Sequence, residues 1–246
     1  MESTIVCLAG IPLQIDFLDS QAKKYFDSYL DLTSKPLARI GLSQEEFKIF
    51  RTCYDKKLPD HYVEYCELVS KASTALLPYG RCIFHSTAFL WEDKAYLFTA
   101  PSGTGKTTQY LHWKYLYRDK VSILNGDKPI LELTPTGEFY IHSSPWKGKE
   151  GFGRNTSAPL AGIVFLEQGY KNSIRLLHPQ EIVLPFLYQF LIDAQTIEEL
   201  RMLLRMEEAV LLHTPIWKLT NLGDVASARL CHDTIKQYQT NRSKFL

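Results

Sequence analysis

The sequence predicts a mixed α/β fold built on a hairpin-rich sheet, with a small α+β lobe ahead of it. Three observations carry that expectation. A glycine-rich loop, Ala100-Pro-Ser-Gly-Thr-Gly-Lys-Thr-Thr108, lies between a strand-like apolar run and a helix-like amphipathic run. Apolar runs recur in pairs joined by short turns, as in antiparallel hairpins rather than strands linked by crossover helices. Helical patterns gather in the first 80 residues and again after Pro179.

Taken in order, residues 4–9 and 13–17 are short apolar runs around Gly10-Ile11-Pro12, which reads as a hairpin. Asp19 or Ser20 can cap a helix ending near Leu30, and residues 36–42 suit another strand. Ser43 with Glu46 forms a capping-box pattern opening a helix to about Cys53. Pro59 suits the first turn of a longer helix reaching about Leu77, with Tyr62, Cys66, Val69, Ala72 and Leu76 at helical spacing as a core stripe. Residues 81–91 and 94–99 are separated only by Glu92-Asp93, a second hairpin. The loop strand therefore has an antiparallel neighbour just before it. Residues 121–124 form a strand ended by Asn125-Gly126-Asp127. Residues 130–133 and 138–142 flank a Pro135/Gly137 turn, and residues 160–167 and 173–177 flank Gln168-Gly169, giving two more hairpins. Pro179 opens a helix towards Ile192 that Pro185 should kink or break. Thr196 with Glu199 caps a further helix on which Ile197, Leu200 and Leu204 share a face. A short strand (215–220) and a terminal helix (224–238) complete the chain, with a basic tail expected to fray. The division expected is residues 1–80 as an N-terminal α+β lobe and 81–246 as a nucleotide-binding domain.

Composition narrows the function class. A chain of 246 residues can bury a real core without metal or disulfide staples. A formal net charge of +1 offers no global field for nucleic acid or an acidic membrane, so neither is expected as a partner. The five cysteines include no Cys-x-x-Cys pair, which argues against a zinc site or disulfide framework. They read as buried small hydrophobes of a reducing compartment. Neither a signal-peptide pattern nor an apolar run near 18 residues occurs, and the expected location is the cytoplasm.

The loop carries the chemistry. Its strand–loop–helix setting is the one in which a phosphate cradle is physically credible. Gly103 and Gly105 let backbone N–H groups converge, and the following helix adds free donors and a positive dipole end. Ser102, Gly103, Thr104, Gly105, Lys106, Thr107 and Thr108 are the expected phosphate-binding residues. Lys106 would neutralise terminal phosphate charge, and the Thr107 hydroxyl would ligate Mg²⁺. The strict Gly-x-x-x-x-Gly-Lys-Ser/Thr pattern is broken at its first position by Ala100.

Phosphoryl transfer also needs a carboxylate near the metal and a base for the acceptor. Asp127, about 20 residues after Lys106 and just past a strand, is the candidate for metal ligand or base; the alternative is a turn residue after Asn125-Gly126. His85, read as mid-strand in the hairpin that feeds the loop, could bond a phosphate or orient a carboxylate; the alternative is an ordinary packed histidine. The polar, glycine-rich stretch 143–155 has the composition of a loop closing over a ligand. In it, Arg154 could stabilise charge on the transferred group, and Glu150 could bind metal or orient the acceptor. A merely solvated loop is the competing reading. Trp146 would cover an acceptor or pack the loop down. His142 and His213 read as structural.

With these residues in hand, the loop resembles that of ATP-dependent phosphoenolpyruvate carboxykinase. The order His85 strand, hairpin, loop and Asp127 resembles the catalytic domain of HPr serine kinase/phosphorylase, which shares that fold. The resemblance runs from about residue 81 to 167 and more loosely onward. It implies a carboxykinase-like mixed sheet around ATP and Mg²⁺, with Lys106 on phosphates and Thr107 on the metal. Asp127 corresponds to the second of the paired acids in these families, and His85 to the histidine before the kinase hairpin. The first acid of the pair is replaced by Gly126, which leaves Glu150 and His85 as stand-ins. No oxaloacetate-binding apparatus is recognisable, so carboxykinase activity is not expected. The expected function is an ATP- and Mg²⁺-dependent kinase acting on a hydroxyl of a protein, peptide or small molecule. The alternatives are a non-catalytic nucleotide-sensing module and a phosphorylase or phosphatase running in reverse. The resemblance also hints at a homo-oligomer.

Overall fold

The computed structural model describes residues 2–242. It opens with a hairpin of β1 (Glu2–Leu8) and β2 (Ile11–Phe17), in register from Glu2 opposite Phe17 to Leu8 opposite Ile11. The turn is Ala9-Gly10, both left-handed at φ 49° and 80°, the two-residue type that matches strand twist. It falls earlier than the expected Gly10-Ile11-Pro12, because burying Ile11, Leu13, Ile15 and Phe17 on one face draws Ile11 and Pro12 into β2. A 3₁₀ helix (Ser20–Tyr29) follows, its first turn capped by the Asp19 carboxylate accepting from the Gln21 N–H at 2.9 Å. β3 (Ala38–Gly41) then joins β2 in parallel.

α1 (Gln44–Arg51) carries the expected capping box between Ser43 and Glu46, and α2 (Asp60–Leu76) follows Pro59. The α2 stripe is rotated from its expected position. Val63, Tyr65, Leu68, Ala72 and Leu76 are buried, while Tyr62, Cys66 and Val69 are only partly so. Polar anchoring turns the helix: Glu64 points inward to accept the Leu18 and Asp19 N–H groups at 2.7 and 3.0 Å.

The expected single strand 81–91 is broken into β4 (Arg81–Ile83) and β5 (Thr87–Trp91). The two pieces pair with different neighbours, which forces the chain to step across the sheet at Phe84, His85 and Ser86. β6 (Lys94–Thr99), α3 (Lys106–Tyr117), β7 (Val121–Asn125), β8 (Ile130–Leu133), β9 (Phe139–His142) and β10 (Ser157–Gln168) follow. Then come β11 (Ser173–Leu176), α4 (Val183–Leu187), α5 (Ile197–His213), β12 (Ile216–Asn221) and α6 (Val225–Arg242). The large sheet runs β4-β8-β9-β10-β6-β5-β7, with β12 on β10 and β11 on β12. It is mixed: β6 is antiparallel to β5 but parallel to β10.

Three further expectations change. β10 and β11 do not form a hairpin; β12 lies between them, parallel to β10 and antiparallel to β11. The helix expected from Pro179 to Ile192 is a 3₁₀ turn and then the five residues of α4, which ends at Leu187. Ile197, Leu200 and Leu204 on α5 do share a face, but it faces solvent; α5 packs through Leu203, Met206, Val210 and Leu211. Of the five cysteines, all are unpaired; Cys82 and Cys231 are buried, whereas Cys53 is exposed. The basic tail beyond Arg242 lies outside the described residues.

Side-chain alternation explains why β6 is central. Ala95 and Leu97 enter the apolar layer beneath α4 and α5, while Tyr96 and Phe98 enter the aromatic layer beneath α3 and α6, with Trp91, Trp113 and Trp217. Both faces are covered, so β6 delivers the glycine loop from a rigid, doubly buried strand. A third cluster joins the small N-terminal sheet and α2 to Ile83, Ile130 and Trp146. No helix among the described residues is long and apolar enough to cross a membrane.

Candidate functional site

Beyond Thr99 the chain turns through residues 100–105 and re-enters helix at Lys106. Gly103 and Gly105 sit at φ 81° and 106°, a region that side chains with a Cβ rarely occupy. The Thr104 N–H and hydroxyl both donate to the Pro101 carbonyl, at 3.3 and 2.8 Å, which tightens the turn. The first-turn N–H groups of α3 have no acceptor within the helix and add to its positive end. Lys106 is buried, and its Nζ donates to the Ala100 carbonyl at 2.9 Å. Burial lowers its pKa, the Asp127 charge opposes that shift, and the Lys128 charge adds to it. These three charges therefore share one field. Ser102, Gly103 and Thr108 are exposed, and Thr104, Gly105 and Thr107 are half-buried.

Asp127 is set by Asn125, the fully buried last residue of β7. The Asn125 Oδ1 accepts the N–H groups of Asp127 and Lys128 at 2.9 and 2.8 Å, and its Nδ2 donates to the Ser144 carbonyl at 3.1 Å. Both functions of the Asn125 amide are thus used to shape the turn. The Asp127 carboxylate meets the Lys128 ammonium at Oδ2, and His85 Nε2 lies 3.5 Å from Oδ1. Burial raises the Asp127 pKa, but the His85 and Lys128 contacts outweigh it and hold the carboxyl well below its usual range. His85 owes its place to the break between β4 and β5. Its N–H donates to the Gln189 carbonyl at 2.7 Å, and the next N–H, of Ser86, donates to the Asp127 carbonyl at 2.9 Å. His85 therefore lies between two strands, beside Asp127, rather than within one.

The stretch 143–155 divides into two parts. Trp146 packs down: it is buried, stacked on Tyr65, and donates its indole N–H to the Tyr65 carbonyl at 2.7 Å. The chain then folds over Asp127. A methyl group placed on Gly148 would lie 3.0 Å from Asp127 Cβ, 3.5 Å from its Cγ and 3.7 Å from Glu150 Oε2, so the Asp127 and Glu150 side chains both border Gly148. Gly126 has no room for a side chain: a Cβ there would lie 2.7 Å from the Lys147 carbonyl oxygen. Residues 152–154 run along the edge of β7, with the Arg154 N–H donating to the Leu124 carbonyl at 3.1 Å. Arg154 itself is exposed, and its charge acts on the Tyr110 phenol of α3. The fold thus brings Lys106, Asp127, His85 and Glu150 together, while Arg154 stands at the sheet edge.

Lys128, Asn125 and Gln189 belong to this arrangement and carry no motif. Lys128 was legible only as the neighbour of Asp127. Gln189 has no sequence signal: its side chain accepts from the Thr99 hydroxyl at 2.9 Å, locking the end of β6 to the segment after α4. His142 is structural, paired with Glu132 at 2.5 Å. Beside the glycine loop, on the side of β10 and β12, opens a cavity of about 590 Å³. It is bounded by Ser102 and Thr104 and walled by Phe165, Leu177, Ile182 and Pro185. Among the described residues no three His, Cys, Asp or Glu side chains gather as a ready metal cluster.

No protein-family model matches the chain, and no curated protein does. Among solved structures, the chain is similar to the HPr(Ser) kinase/phosphatase from Coxiella burnetii, at 9% identity and a TM-score of 0.38. The match covers 66% of this chain and 96% of that one. A likeness that loose assigns neither a family nor an activity.

Proposed function

We propose that this protein is an ATP- and Mg²⁺-dependent phosphotransferase with a carboxykinase-like P-loop fold, moving the γ-phosphoryl group to a hydroxyl acceptor. One observation carries the reading: a left-handed glycine turn, a helix N-terminus and the buried Lys106 share their field with an ionised, histidine-contacted Asp127. Residues 102–108 bind the phosphates, and the cavity of about 590 Å³ beside them takes the nucleoside. The donor set suits Mg²⁺, which is held through one or two carboxylates plus phosphates and water rather than by an all-protein cage. Thr107 and Asp127 would hold it, and it would neutralise charge on the transferred group. His85 orients Asp127. Glu150, which borders Gly148 together with Asp127, accepts the acceptor proton. Arg154 meets the acceptor-side charge when the 147–154 segment closes. The lobe of residues 1–80 helps select the acceptor.

Isothermal calorimetry and a phosphoryl-transfer assay test this reading. Lys106→Ala should abolish ATP·Mg²⁺ binding; an unchanged affinity contradicts the assignment. Asp127→Asn should remove turnover more than binding, and equal turnover would sink its role. A second reading is a nucleotide-sensing module without catalysis. The Lys128 ammonium on the Asp127 carboxylate favours it, because a carboxylate already neutralised is a poorer metal ligand and base. Binding without ATP consumption against any hydroxyl acceptor would select that reading.

A further inference from the structure

The exposed face of α5 carries four apolar residues among the charged Glu198, Arg201, Arg205 and Glu208. Ile197, Leu200, Leu204 and Leu212 are 72, 44, 43 and 63% exposed, and Val183 of α4 continues the stripe at 40%. From Ile197 to Leu212 the stripe extends roughly 22 Å at 1.5 Å per residue, longer than a small metabolite. Between α4 and α5 it deepens into a groove of about 340 Å³ walled by Pro179, Val183, Leu204, Leu211 and Leu212.

The groove contains Glu207. This residue is 3% exposed, lines the groove, and its Oε1 has no hydrogen-bond partner. No lysine, arginine or histidine lines the groove, and the neighbouring Glu208 adds a second acid. A buried carboxylate oxygen without a donor is costly and uncommon in a folded protein. The groove therefore offers a hydrophobic lining and a carboxyl group whose Oε1 lacks a hydrogen-bond partner in one place.

We propose that the α4–α5 groove docks a segment of a partner polypeptide that presents a lysine between apolar residues, its ammonium reaching Glu207. Lysine suits the site because a flexible methylene stem can run along leucine walls and deliver a compact charge. The flanking apolar residues cover the Ile197–Leu204 stripe, as in helix-in-groove recognition. The docking site does not depend on the phosphotransfer reading, since none of its residues belongs to the loop or to the Asp127 group.

Fluorescence polarisation on the full chain tests it with two labelled peptides, Ser-Leu-Leu-Lys-Leu-Leu-Ser and the same peptide with norleucine in place of lysine. The lysine peptide should bind about tenfold more tightly, the size of one charge-assisted buried contact. Glu207→Gln should erase that preference and leave the norleucine peptide unchanged. Leu204→Ser, at an exposed position, should weaken both. The proposal is overturned if neither peptide saturates, or if the lysine preference survives in Glu207→Gln. It is equally overturned if sedimentation shows a dimer that Leu204→Ser dissociates, or if the face binds anionic vesicles and neither peptide.

Discussion

At the scale of single residues, Gly126 shows how backbone packing excludes a side chain. The 147–152 segment crosses so close to β7 that a Cβ at 126 would meet the Lys147 carbonyl at 2.7 Å and the Phe152 carbonyl at 3.2 Å. Neither obstacle is a flexible side-chain tip, so the backbone itself must move. Gly126→Ala should cost about 1–3 kcal/mol, as overpacking does. In a chain of this size each kcal/mol lowers Tm by about 2–4 °C. Differential scanning fluorimetry reads this directly, and an unchanged Tm would mean that the segment does not press on β7. The same crossing brings Glu150 to Asp127. In the sequence these appear as a broken motif and a distant loop acid. Asp127, Lys106 and the glycines were legible because their spacing repeats a local strand–loop–helix unit. Asn125 and Gln189 were not, because their partners lie in segments that only folding brings near: Ser144 for the one, Thr99 and His85 for the other.

At the scale of elements, α5 separates local from tertiary information. Its capping box was readable from Thr196 and Glu199, since a cap is made within four residues. Its buried face was not, because two apolar stripes run along it and the sheet chose the one through Leu203, Met206 and Val210. That choice carried Glu207 inward. Burial pushes its pKa up to about 7. The folded state therefore binds this proton more tightly than the unfolded chain, and the stabilisation is present in acid. It is lost as pH rises from the unfolded value near 4.5 through about 7. Glu207→Gln should accordingly raise Tm more at pH 8 than at pH 5. A gain that does not grow with pH would show that the carboxylate finds solvent or a counter-charge. The broken strand at His85 has the same origin: alternation across residues 81–91 looks continuous, but β4 and β5 answer to different neighbours.

At the scale of the whole molecule, the N-terminal lobe and the large sheet are stitched at the site. Tyr65 donates to the Pro145 carbonyl at 3.0 Å, Tyr29 donates to Ser143 at 3.1 Å, and Trp146 fills the lobe's own core. The segment that lies over Asp127 thus hangs from α2 and from the 3₁₀ helix before it. Because apolar residues are shared in this way, calorimetry should show one cooperative unfolding transition. Two resolved transitions would mean that the lobe is an independent domain. By itself, the sequence determined the glycine loop, the capped helices, the β5–β6 hairpin and the candidacy of Lys106 and Asp127. All of these depend on residues within a few positions or on one strand–loop–helix unit. Only the tertiary structure decided strand order, the insertion of β12 between β10 and β11, the face α5 buries, and the meeting of Glu150 and His85 with Asp127. Those are outcomes of competition among many similar apolar surfaces, and no short stretch of sequence holds both partners of such a contact.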